Sequence, residues 1–128
     1  MGKKKVLIAD DDKTVLQAGK LWLEGKGYRA IIVDDGMKAI EEVRKENPEF
    51  ALLDVVMPGK DGFEVCREIK QNSDTSSTIV IIISGNVPEI EKGFDYGADD
   101  CIIKPLDWDK LSERMEVIAK EKWDNTRK

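Results

Sequence analysis

The chain has 128 residues and a mass of 14.4 kDa, the size of one ordinary domain. Its 21 basic and 26 acidic residues leave a net charge of −5, which argues against non-specific nucleic-acid binding, where basic surface must meet phosphate. The complete absence of histidine excludes Ser-His-Asp and Cys-His catalysis, histidine-ligated zinc and imidazole acid–base chemistry. Any reaction must therefore rest on carboxylates, lysine, hydroxyls and a hard cation.

Lys3, Lys4 and Lys5, followed by the apolar run 6–9, resemble the start of a secretory signal. Asp10, Asp11 and Asp12 cut that run far too short for one, and the lysines read as a solvated terminus. The run 6–9 is instead the first predicted strand. Asp12 is placed to cap a helix over 14–26, in which Val15, Leu16, Trp22 and Leu23 fall on adjoining stripes and which Gly27 closes. A second strand follows at 30–33. Asp35 and Gly36 suit a hairpin, but 37–47 does not alternate, so a helix carrying Ala39, Ile40 and Val43 is predicted there.

The third strand spans 50–53. Met57 and Pro58 read as loop formers, and Asp61 with Glu64 forms a capping-box pattern ahead of a helix over 63–71 with Phe63, Val65, Cys66 and Ile69 inward. Residues 73–78 are a polar loop. The run 79–83 is the longest apolar stretch, much too short to cross a membrane, and forms the fourth strand. Asn86 and Glu89 repeat the capping-box spacing, with Pro88 in the first turn of a helix over 88–96. This helix has the thinnest apolar pattern, Ile90 and Phe94. Asp99 and Asp100 read as a solvated strand start before the fifth strand at 101–103. Asp107 caps a last helix over 108–122 with Leu111, Met115 and Ile118 inward. Trp22 and Trp108 read as packing residues, and Trp123, in the short tail 123–128, as a candidate exposed contact. Cys66 and Cys101 fit neither a disulfide framework nor a metal pair; as buried reduced thiols they suit a cytoplasmic protein.

None of the five apolar runs alternates with polar residues, as expected of strands covered on both faces. Five strand–helix repeats predict an α/β flavodoxin-like three-layer sandwich. Its five-stranded parallel sheet has order 2-1-3-4-5, with five helices in a single domain over 1–128 and a core over about 5–122.

In such a sheet, ligands bind beyond the carboxyl ends of the strands. The first strand ends in Asp10 and Asp11, the third in Asp54, the fourth in Ser84 and the fifth in Lys104. Asp34, after the second strand, lies at the sheet edge. The other four endings belong to spatial neighbours. Clustered carboxylates with no nitrogen or sulfur ligands suit Mg²⁺, which keeps several waters and accepts substrate phosphate. Lys104 and Ser84 supply a cation and a neutral donor for a phosphoryl group, so a carboxylate here can become an aspartyl phosphate.

The segments 6–12, 52–62, Ser84-Gly85, 97–100 and Lys104-Pro105, taken in order, resemble the receiver domains of two-component response regulators over essentially the whole chain. The resemblance implies Asp54 as phosphoacceptor. It implies Asp11, Asp54 and the backbone carbonyl of Val56 as direct Mg²⁺ ligands, with Asp10 acting through metal-bound water. Ser84 would bind the phosphoryl group and move toward it on activation, Lys104 would pair with Asp54 or with a phosphoryl oxygen, and the bond before Pro105 would be cis. A histidine kinase or phosphotransfer protein would supply the phosphoryl group from its own phosphohistidine. The output would be a changed surface of the fourth helix, fifth strand and fifth helix that contacts a downstream protein, with no nucleic-acid or membrane partner. The chain would be a monomer or a weak phosphorylation-dependent dimer. It would be a signalling phosphoacceptor and not an enzyme beyond self-catalysed phosphorylation and dephosphorylation. With few residues after the last helix, it is expected to act alone or as part of a longer regulator.

Three positions depart from the usual family pattern. Cys101 stands where many members carry an aromatic, so an aromatic swing cannot operate. Val56 cannot orient an attacking water, whereas Asn86, two residues after Ser84, can; Gly85 replaces the more usual alanine. A Mg²⁺-dependent phosphohydrolase using an aspartyl phosphate is the alternative enzyme, but the acceptor lacks a second acid two residues on. A flavodoxin-like nucleotide binder is the alternative binding module, but Asp10–Asp12 would repel its phosphate.

Overall fold

In a computed structural model, residues 4–126 are described, with side chains through Lys122. The elements are β1 (Lys5–Ala9), α1 (Lys13–Gly25), β2 (Arg29–Val33), α2 (Gly36–Glu46), β3 (Phe50–Asp54), α3 (Gly62–Gln71), β4 (Ile79–Ser84), α4 (Val87–Asp95), β5 (Asp100–Ile103) and α5 (Trp108–Thr126). The strands form one parallel sheet in the order β2-β1-β3-β4-β5, as the strand–helix pattern predicts.

The two sheet faces bury different residues of the same strands, because successive side chains point to opposite sides. Val6, Ile8, Phe50, Leu52, Ile79, Ile81 and Ile83 meet α1 and α5 through Leu16, Leu23, Leu111 and Met115. Leu7, Ala9, Ala51, Leu53, Val80 and Ile82 meet α2 and α3 through Ala39, Val43, Phe63, Cys66 and Ile69. This accounts for the absence of alternation in β1, β3 and β4, where every residue after Lys5 is buried. The edge strands are less covered than the sequence suggests. Arg29 of β2 and Ile103 of β5 are exposed, since an edge strand has a neighbour on one side only.

The helix starts follow their capping residues. Asp12 accepts from the Thr14 N–H (2.9 Å), Asp35 from Met37 (2.7 Å), Asp61 from Glu64 (2.9 Å) and Asp107 from Asp109 (3.1 Å). Trp22 and Trp108 pack together across α1 and α5, with ring centroids 5.5 Å apart. Four readings from the sequence need correction. Asp99 is exposed as expected, although it is held in place, but Asp100 is not solvated. Asp99 accepts from the Val80 N–H (2.8 Å) and pairs with Lys70 (2.7 Å), while Asp100 is buried against Arg114 of α5 (2.6 Å). Phe94 is 49% exposed, because α4 turns Ile90 and Gly93 inward instead. Met57 is a buried core residue and not merely a loop former. Lys5 belongs to β1 and pairs with Glu46 at 3.0 Å. The last helix runs to Thr126, past its expected end, since no glycine or proline interrupts the backbone ladder. The Trp123 side chain lies outside the described residues.

Gly93 permits the close approach of α4 to β5. A Cβ there would lie 2.7 Å from the Cys101 Sγ, which itself donates to the Ile90 carbonyl at 3.4 Å. Cys66 and Cys101 are free and buried. Burial pushes the Cys66 thiol up to about 12; burial and then the Asp100 charge push Cys101 up to about 11. Neither forms thiolate at mildly alkaline pH, and the thiolate is the reactive form. An aromatic disulfide reagent is therefore expected to label neither cysteine in the native protein and both in denaturant. Rapid native labelling would contradict this packing.

Candidate functional site

The polar ends of β1, β3, β4 and β5 meet at one edge of the sheet. Ala9 is in register with Leu53, and Asp54 with Ile83, so Asp10 and Asp54 sit side by side. Carboxylate oxygens of Asp10, Asp11 and Asp54 lie within 4.8 Å of one another. Asp10 and Asp54 are buried, while Asp11 faces solvent. Lys104 reaches in from the end of β5, with its Nζ 2.8 Å from Asp54 Oδ1 and 4.0 Å from Asp10 Oδ2. The Lys104–Pro105 peptide bond is cis, as the resemblance implies.

The local chain is built to hold these groups. The Asp10 N–H donates to the Val33 carbonyl (3.1 Å), and Asp10 Oδ1 accepts from the Asp12 N–H (2.9 Å), while Asp12 turns away to cap α1. Behind Asp54, the first turn of α3 abuts the end of β3. The Gly62 N–H donates to the Val55 carbonyl at 2.9 Å, and a Cβ on Gly62 would lie 2.3 Å from the Asp54 carbonyl oxygen. Only a residue without a side chain fits there. Val56 projects into solvent, and no donor among the described residues reaches its carbonyl.

The charges are unbalanced. Two like charges this close repel by about 3 kcal/mol at an effective dielectric near 20, and one ammonium opposes three carboxylates. Burial raises the Asp10 pKa above the usual carboxylate value. The Asp12 N–H opposes that rise, and the Asp54 charge adds to it. Burial alone would lower the Lys104 pKa, but the hydrogen bond and charge of Asp54, then Asp10 and Asp11, outweigh it and raise it. Oxygen ligands with excess negative charge at one small site fit a hard dication.

Ser84 is turned away from this cluster. Its hydroxyl is buried and points to α4, donating to Glu89 Oε1 (2.8 Å) or the Asn86 carbonyl (3.1 Å). Among the described residues no hydrogen bond joins that hydroxyl to Asp54 or Lys104. Asn86 caps α4 as predicted, accepting from the Glu89 N–H at 3.1 Å. The return contact differs from an ordinary capping box. Glu89 reaches the Asn86 side-chain amide (2.7 Å) and Ser84, not the Asn86 backbone. Glu89 and Gly62 are the functional neighbours missing from the sequence reading. The Asn86–Glu89 spacing was a visible signal for the first, but it points equally well to capping alone.

The family model of the response regulator receiver domain matches residues 6–116. This chain belongs to that family, whose members are signalling proteins. It is 34% identical over 116 residues to the response regulator MprA of Mycobacterium ulcerans strain Agy99, covering 91% of this chain and 50% of that protein. The chain thus spans about half the length of the curated relatives it matches. It is similar to the receiver domain of the Francisella response regulator 1452, with a TM-score of 0.84, 30% identity and coverage of 93% of this chain and 98% of that one. It also resembles the BeF3-activated DrrB receiver domain, with a TM-score of 0.82, 29% identity and coverage of 92% and 98%. Among the described residues no helix is long and apolar enough to cross a membrane.

Two substitutions test the site's construction. The raised Asp10 pKa means that its contribution to stability is present below the unfolded carboxylate pKa and lost as pH rises through the folded one. In metal-free buffer Asp10→Asn should therefore be more stable than the parent near neutral pH by on the order of 1 kcal/mol, seen as a higher melting temperature, with the gap closing in acid. Equal melting at neutral pH would show that burial imposes no cost. Gly62→Ala should lower stability by about 1–3 kcal/mol in the same melts.

Proposed function

We propose that Asp54 accepts a phosphoryl group from a phosphohistidine on a histidine kinase or phosphotransfer protein. The observation that carries this reading is the Asp54 carboxylate, buried at a strand end, with Lys104 Nζ 2.8 Å from one oxygen and two further carboxylates beside it. Asp10, Asp11, Asp54 and the Val56 carbonyl would hold Mg²⁺, which when bound supplies positive charge against the carboxylates and the incoming phosphate.

Asp54 is the nucleophile. One of its oxygens attacks phosphorus, the new O–P bond forms, and the N–P bond to the donor imidazole breaks with its electron pair leaving on nitrogen. Lys104 orients the carboxylate and can pass its hydrogen bond to a phosphoryl oxygen, stabilising charge that develops during transfer. Ser84 is the neutral donor for a second phosphoryl oxygen. An open groove lined by Val15, Ala18, Leu106 and Trp108 begins at Lys104 and offers apolar footing for the donor protein. Having no histidine, the chain takes the phosphoryl group from another protein or from a small phosphodonor. Any turnover is limited to self-catalysed phosphorylation and dephosphorylation.

The phosphorylated state signals through α4, β5 and α5, where exposed Val87, Phe94 and Ile103 supply apolar ground for a downstream protein. Buried free thiols at Cys66 and Cys101 support a reducing, cytoplasmic setting. With Mg²⁺ and a small phosphodonor, intact mass should show a gain of one phosphoryl group in the parent and none in Asp54→Asn or after chelation. Full labelling of Asp54→Asn would remove Asp54 from the acceptor role.

A further inference from the structure

Glu89 joins three features at the first turn of α4. Its Oε1 accepts from both the Ser84 hydroxyl (2.8 Å) and the Asn86 amide (2.7 Å), while its own N–H is capped by Asn86 (3.1 Å). A serine hydroxyl has one proton to donate. Here that proton is committed to the α4 side, and the hydroxyl also accepts from the Asn86 N–H at 3.1 Å. Ser84 is 1% exposed, so water cannot readily take over either bond.

We propose that Glu89 is a positioning residue that holds the Ser84 hydroxyl away from the phosphoryl site and releases it only when a phosphoryl oxygen on Asp54 competes for the proton. This inference rests on the reading of Asp54 and Ser84 given above and adds the element that regulates them. A carboxylate is a strong acceptor, and one that is partly exposed remains solvated after its partner leaves. The exchange therefore trades one charge-assisted hydrogen bond for another and leaves no buried group unsatisfied. It also couples the site to α4. Losing Ser84 removes one of the two hydrogen bonds that hold the Glu89 carboxylate against the first turn. Release also loosens the hold on Asn86, whose amide is spent at both ends on Glu89. Further along the helix, the close contact of Gly93 with Cys101 and the thiol bond to the Ile90 carbonyl anchor α4 on β5. The structure thus confines the rearrangement to the start of the helix, and no aromatic side chain at position 101 is required to transmit it.

Beryllofluoride with Mg²⁺, titrated calorimetrically, is the probe. Glu89→Ala should bind it about tenfold tighter than the parent and Glu89→Gln about threefold, because glutamine keeps a neutral acceptor. Loss of a nearby negative charge would also tighten anion binding, so the decisive comparison is the double-mutant cycle. In a Ser84→Ala background, Glu89→Ala should change affinity by less than about twofold. Circular dichroism of each variant should match the parent, and Glu89→Gln carries the comparison if Glu89→Ala misfolds. Equal affinity of the parent and Glu89→Gln overturns the proposal. Tightening that persists at full size without the Ser84 hydroxyl also overturns it, by assigning the effect to charge alone. A parent that binds no beryllofluoride overturns the phosphoacceptor reading and this proposal together.

Discussion

Mutual repulsion among carboxylates at the carboxyl edge of a buried sheet is the constraint on which the rest of this structure depends. Asp10 and Asp54 are nearly removed from water, and Asp11 stands beside them. Lys104, whose ammonium contacts Asp54 and approaches Asp10, and the Asp12 N–H, which donates to Asp10, relieve part of that charge. An arrangement of this kind costs stability in the absence of a cation, and a fold tolerates it only when the surrounding core is well covered. The three central strands provide that cover, with uninterrupted apolar residues packed by helices on both faces.

The fold keeps the apolar interior and the charged edge separate. Polar side chains enter the central strands only at their ends, with helix starts close by on the carboxyl side. Asp12 and Asp61 cap α1 and α3, so the acidic loops around Asp10 and Asp54 are tied by the helices they begin. Gly62 shows how tight this junction is, since a single added carbon would meet the Asp54 carbonyl. On the other side of the site the tie runs through side chains instead of backbone. Ser84, Asn86 and Glu89 form a small network at the α4 start. Hydrogen bonds among side chains exchange partners more easily than a packed glycine contact can move, which makes this the adjustable side of the site.

Much of this was legible in the residues alone. Strand order, helix positions and the caps at Asp12, Asp61 and Asp107 follow from short apolar runs and turn chemistry, whereas the Asp35 cap of α2 emerges only in the structure. Asp10, Asp11, Asp54 and Lys104 come together at one edge of the sheet: β1 and β3 are neighbours, and the Lys104 side chain reaches across the end of β4 from β5. The failures share a cause. Phe94 and Ile90 look equivalent in the sequence, yet only the docking of α4 over Cys101 decides which one turns inward. Asp100 looks like a solvent-facing acid until Arg114, distant in the chain, arrives beside it and α5 covers it.

The sequence by itself determined the layered architecture, the absence of imidazole chemistry and the residues available to hold a cation and a phosphoryl group. These depend on residue type and on periodicity, both of which are local. Tertiary structure alone decided that the Ser84 hydroxyl is engaged with Glu89, that Gly62 presses on the Asp54 backbone and that α4 rests on a thiol. Each of these depends on which atoms from separate elements come within hydrogen-bonding or van der Waals distance, and no local pattern along the chain encodes that.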